Sequence, residues 1–208
     1  MLEKLPESVG HALLNQRAGM EKVLYNHLFR QRQTARLDIR SKAFVFNARI
    51  PKRFTADGEG LSPPLEWDGV PEDTASLALI VEDADSPTPH PLVHAIVFDL
   101  GDIDGSIEEG ALNSPHHAGF GLAMGQNSFF RQAWLPPDPP RGHGEHRYVF
   151  QMFALRAGPP FSAAPGRREL IDVVLDRAIA VGCLIGTYER EERVASAPSE
   201  HDSTASMA

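Results

Sequence analysis

From Phe44 onward the chain is a series of short apolar runs with the two-residue alternation of strands. AFVFNA (43–48), SLALIVED (76–83), LVHAIVFDL (92–100) and RYVFQMFAL (147–155) are rich in β-branched or aromatic residues and are bounded by Pro, Gly, Asp and Ser. CLIGTYER (183–190) reads as a final strand. Two stretches carry helical spacing instead. Over 9–32, Val9, Leu13, Met20, Val23, Leu24 and Leu28 recur along one face, with Gly19 a weak point; over 167–182, Leu170, Val174 and Ala178 step by four toward Gly182. The pattern predicts a mainly β domain with an N-terminal helical arm (1–42), a body (43–194) containing a late helix, and a Ser/Ala/Pro-rich tail (195–208) expected to be disordered. The apolar stripe of the arm needs a cover, from its own body or from a partner.

Following the alternation places polar groups at the ends of apolar faces. Leu77, Leu79 and Val81 share a face that Asp83 continues. Leu92, Ile96 and Phe98 share one with His94, and His146 and Tyr148 precede Phe150 and Met152 on another. An eight-residue loop joins 76–83 to 92–100, so antiparallel pairing brings Asp83 and His94 to one edge. His146 joins them if its strand runs beside the first or in a facing sheet. The expected result is a small pocket with an apolar floor. Imidazoles donate to phosphate oxygens, a tyrosine hydroxyl adds a donor, and a carboxylate fixes a tautomer or accepts from an ammonium. Asp85, before Ser86 and Pro87, reads as a turn former; His116, His117 and His143 lie in Gly/Pro-rich loops and read as surface residues.

Charge refines the organisation. The net charge is −8 over 208 residues, so duplex nucleic acid is not an expected partner. Residues 1–42 carry eight Lys/Arg against four Asp/Glu, a basic arm on an acidic remainder. The single cysteine, Cys183, sits in an apolar run and reads as a core side chain. No uninterrupted apolar stretch suggests a signal peptide or a membrane span, which makes the cytoplasm the expected compartment and a peripheral contact the most a membrane receives.

Six segments in order, LSPPLEW (61–67), DADSP (83–87), VHAIV (93–97), GQNSF (125–129), PPRG (139–142) and HRY (146–148), resemble the phosphatidylethanolamine-binding protein family in its bacterial Raf-kinase-inhibitor-like branch. The resemblance covers roughly residues 43–190. It implies a β-sandwich of two packed antiparallel sheets with a C-terminal helix near the pocket. It also implies an anion site built from Asp83, His94, Pro139, Pro140, His146 and Tyr148, with Arg147 in support. Departures are Ala84 between the two acids, Gly60 before Ser62, and Asp138 before the two prolines; a carboxylate there opposes anions and favours an ammonium or zwitterion. No cofactor and no metal are implied.

Three functions stand open. The favoured one is a binding protein for small phosphate-bearing or zwitterionic ligands, modulating a partner protein. The second is a hydrolase using Asp83, His94 and His146, which lacks any HExxH, GxSxG or recognisable nucleophile in support. The third is an interaction protein that dimerises through its arm.

Overall fold

The alternating runs become the strands of two sheets in the computed structural model, which describes residues 7–29, 34–114 and 121–190. Among these residues the larger sheet has seven strands. They are β1 (Ala35–Arg36), β3 (Ala48–Arg49), β5 (Ser76–Asp83), β6 (Leu92–Leu100), β8 (Ala123–Met124), β9 (His146–Leu155) and β10 (Ala178–Tyr188). Their order is β1-β10-β9-β5-β6-β8, with β3 also on β10. The pairs are antiparallel except that β1 and β3 run parallel to β10. The smaller sheet is β2 (Asp38–Arg40), β4 (Leu65–Asp68) and β7 (Gly105–Ile107).

Packing explains why SLALIVED is so uniformly apolar: β5 is buried on both faces. Leu77, Leu79 and Val81 join Phe150 and Met152 in a core shared with Ile39, Leu65, Trp67 and Ile107 of the small sheet. Ala78 and Ile80 face the other way with Phe153, against Leu24 and Leu28 of α2 (Leu24–Phe29) and Leu170 and Val174 of α3 (Arg167–Arg177). The molecule is a mainly β sandwich with a helical layer on the outer face of the large sheet.

Four local expectations need correction. The helix predicted over 9–32 is broken into α1 (Glu7–Leu13), a 3-10 turn at Met20–Lys22, and α2. Gly19 has φ of 101°, outside any right-handed helix, and residues 18 and 19 donate their N–H groups to the carbonyls of Ser86 and Ala84 (2.9 and 2.8 Å). Residues 30–32 of that helix, and the tail beyond 190, lie outside the described residues. The strand predicted over 43–48 contracts to Ala48–Arg49, because a turn closes from Ala48 N–H to the carbonyl of Val45 with Asn47 at φ 60°; only Phe44 is buried, while Val45 and Phe46 face solvent. The helix predicted to 182 ends at Arg177, and Ala178–Gly182 become strand. Pairing with β9 and β1 overrides the local helical spacing there.

The fourth correction concerns the face of His94. Val81 lies opposite Ala95 and Glu82 opposite Val93, so His94 is an extra residue in the ladder, a β-bulge. Ile96 therefore points to the helical layer, while Leu92 and His94 turn to the side of Asp83. Residues 35–40, within the stretch read as arm, contribute β1 and β2 to the sheets. Among the described residues no helix is long and apolar enough to cross a membrane.

Candidate functional site

At one end of the large sheet the strands converge. Asp83 closes β5, directly opposite Leu92 of β6 and Tyr148 of β9, and His146 opens β9. Asp83, His94, Asp138 and His146 line one cavity of about 300 Å³ with Ser86 and Thr88; Leu13, Pro87, Leu92, Phe129, Leu135 and Pro136 supply its apolar wall. Tyr148 is fully buried between the two imidazoles, its ring edge-on to His94 (centroids 5.1 Å apart) and stacked on His146 (6.4 Å). Pro139 and Pro140, expected at the rim, are buried and do not line the cavity, whereas Pro136 does.

The hydrogen bonds assign a role to each nitrogen. His94 Nδ1 lies 2.6 Å from the carbonyl of Leu135, which can only accept, so Nδ1 carries the proton. Burial disfavours the imidazolium and holds the pKa of His94 below its ordinary value. Its Nε2 is then a buried acceptor, and it has no hydrogen-bond partner among the described residues. The hydroxyl of Tyr148 is likewise buried without a partner, and burial keeps it protonated by raising its pKa well above the usual value. Most buried polar groups in proteins are satisfied, so two orphans on adjoining rings, one of them on a residue that lines the cavity, are informative.

His146 is different: both its nitrogens are engaged. Nδ1 meets Asp83 Oδ2 at 2.8 Å, and Nε2 meets His143 Nδ1 at 2.6 Å. His143 Nε2 donates onward to the carbonyls of Leu13 (2.8 Å) and Gln16 (3.1 Å). These contacts require one hydrogen each in series, so His143, His146 and Asp83 together carry no net charge. His143 is fully buried, a correction to its reading as a surface residue. His116 and His117 lie outside the described residues.

The remaining charges are paired. Asp138 forms an ion pair with Arg190, whose side chain is buried and also donates to Asp57 at 2.8 Å. Asp138 thus shares one guanidinium with Asp57, which offsets part of the charge expected to repel anions from the rim. Asp85, read as a turn former, is completely buried and takes a bidentate pair from Arg147 (both contacts 2.7 Å), the Arg147 backbone N–H (2.9 Å) and Arg17 (2.9 Å). Asp83 makes the turn instead, accepting from the N–H of Asp85 at 2.8 Å. Arg147 thus supports the site from behind. On the opposite face of β5, buried Glu82 holds the Leu24 N–H, Gln151 and Arg167. Cys183 lies apart from the cavity, and burial pushes its thiol up to about 12, which leaves it inert as a nucleophile. Among the described residues no group of three or more His, Cys, Asp or Glu is arranged to hold a metal ion.

Sequence reasoning missed His143, Asp85, Glu82, Arg190 and Leu13. Two left signals. Glu82 is a carboxylate inside a run otherwise buried on both sides, and His143 precedes His146 by three residues across a glycine-rich turn. Arg190 and Leu13 left none, since each acts through contacts distant in sequence.

Comparison with known proteins bears on the whole arrangement. The family model described as phosphatidylethanolamine-binding protein matches residues 40–189. A UPF0098 protein of Aquifex aeolicus is 34% identical over 158 residues, 74% of this chain and 90% of the relative. One from Mycobacterium bovis is 36% identical over 153 residues, covering 74% and 70%. Among solved structures, a phosphatidylethanolamine-binding protein homologue from Chlamydia trachomatis superposes with a TM-score of 0.67 at 31% identity, over 76% of this chain and all of the other. YbcL of E. coli gives 0.69 at 24% identity over the same shares, a likeness of fold. The chain belongs to the phosphatidylethanolamine-binding protein family.

Proposed function

We propose that this protein binds small ligands bearing a phosphate, free or within a zwitterionic head group, in the cavity over His94. The observation that carries this reading is the pair of buried, unpartnered polar atoms, His94 Nε2 and the Tyr148 hydroxyl. One accepts and the other donates. A monoprotonated phosphate or phosphate monoester supplies the complement of both, its P–OH donating to Nε2 and an anionic oxygen accepting from the phenol; in a diester head group, which has no P–OH, the ammonium is the donor to Nε2. The pairing of Asp138 with Arg190, and the hydrogen bond of Asp83 to His146, lessen the repulsion an anion would otherwise meet. The apolar wall suits the carbon portion of such a ligand. The names of the relatives, which speak of a phosphate-bearing lipid, are consistent with this class.

Two hydrogen bonds to a charged group, about 1.5–3 kcal/mol each, correspond to affinity near the millimolar range. Phosphorylethanolamine well above that concentration therefore raises the melting temperature of the wild type through linkage. His94→Ala and Tyr148→Phe each lose most of the rise. A rise in His94→Ala equal to the wild type's would refute the assignment. Hydrolysis through Asp83, His94 and His146 is not favoured by any observation, because both nitrogens of His146 are committed within the protein.

A further inference from the structure

Residues 7–29 precede the stretch that matches the family, yet they form part of the cavity. Leu13, the last residue of α1, lines it. The segment is fixed along the 84–86 turn by the N–H groups of Ala18 and Gly19, and Arg17 pairs with Asp85 and donates to the carbonyls of His143 (3.1 Å) and Glu145 (2.8 Å). His143 is the junction. Its Nε2 holds two carbonyls of the segment while its Nδ1 holds His146, which in turn holds Asp83 in the cavity wall. An unbroken series of hydrogen bonds thus joins the segment to the site. The cavity keeps its volume of about 300 Å³ with Leu13 in place, so the segment is a wall of the pocket rather than a plug.

Resting on the phosphate-pocket reading above, we propose that residues 7–19 are the outer wall of the ligand pocket and that His143 is the positioning residue coupling the docking of this wall to the orientation of His146 and Asp83. Wall docking and ligand binding then favour each other, by the reciprocity of linked equilibria. The junction works only while a single hydrogen lies between Nδ1 of His143 and Nε2 of His146. A proton added there would set two N–H groups against each other across 2.6 Å. The charged groups facing His143 are His146 on β9 with Asp83 behind it, and Arg17 on the segment, itself tied to Asp85. Burial, then His146 and Arg17, oppose that proton and outweigh the carbonyls of Leu13 and Gln16, which favour it, so the pKa of His143 lies below its ordinary value. Acid therefore releases the wall.

Gly10 provides the test in the full chain. A Cβ there would lie 1.8 Å from the backbone oxygen of Arg141, so Gly10→Ala lifts the wall without altering any pocket group. Hydrogen exchange of residues 11–19 and calorimetric titration with phosphorylethanolamine are measured for wild type, Gly10→Ala, His143→Ala and His94→Ala. Gly10→Ala and His143→Ala are expected to exchange faster over 11–19 and to bind roughly tenfold more weakly, the scale of one lost leucine contact. In the wild type, protection over 11–19, corrected for intrinsic rates, is kept above the ordinary imidazole value of 6.5 and falls as the pH drops below it; in His143→Ala it does not. Faster exchange with unchanged affinity in Gly10→Ala overturns this proposal alone, as does wild-type exchange and pH dependence in His143→Ala. Unchanged binding in His94→Ala overturns the pocket reading and this proposal with it.

Discussion

A carboxylate removed from water is costly unless its charge is met by partners, and Asp85 is removed from water entirely. Burial alone would raise its pKa. Arg147, through side chain and backbone, and Arg17 outweigh burial and bring it down to about 2. The folded value thus lies below the ordinary one of 3.8. Its stabilisation is fully present above pH 4 or so, and is lost as pH falls from about 4 to 2, on the order of 2 kcal/mol. Asp85→Ala leaves Arg147 and Arg17 facing a buried void, and is expected to cost about 3–5 kcal/mol in urea unfolding at neutral pH. Its acid limb should also be shallower than the wild type's. A loss below 1 kcal/mol would show that the pairs form in water as well as in the fold. The spacing of Asp85 before Ser86 and Pro87 reads as a turn because turns are local, whereas its arginine partners lie 68 residues before and 62 after it.

At the scale of elements, strands were more legible than helices. β5, β6 and β9 appear where alternation places them; antiparallel pairing brings Asp83 and His94 together as loop length requires, and His146 joins them because β9 runs beside β5. The bulge at His94 was invisible, because one inserted residue flips the faces beyond it without changing composition. Helical spacing misled in the other direction. Leu24 and Leu28 do lie on an apolar face, but the helical path breaks between Leu13 and Met20, with Gly19 at φ 101°, and a separate α2 holds them against the sheet. Both are fully buried, so α2 belongs to the core rather than to a loose arm. Leu28→Ala is accordingly expected to lower the unfolding free energy by about 2–4 kcal/mol, read from the shift in urea midpoint at unchanged m-value. A shift within about 0.5 kcal/mol would mean that the segment contributes nothing to the folded body. The same burial explains Glu82, which ties α2 and α3 to β5.

For the molecule as a whole, the basic N-terminal segment lies on its own acidic body, with Arg17 on Asp85 and Lys22 on the carbonyl of Pro89. The sandwich gathers loop and strand ends from Asp83 to His146 around one cavity, and the segment closes its outer side. The sequence identified four lining residues and the buried tyrosine. It did not show that Asp138 is paired or that both nitrogens of His146 are engaged, since these depend on Arg190 and His143 through tertiary contacts. The polar demand of the site is thereby concentrated on His94 and Tyr148. A crystal structure of the protein with saturating phosphorylethanolamine tests this most directly. Phosphate density is expected within hydrogen-bond reach of His94 Nε2 and the Tyr148 hydroxyl. A cavity holding only water, with the ligand absent or bound elsewhere, would contradict it.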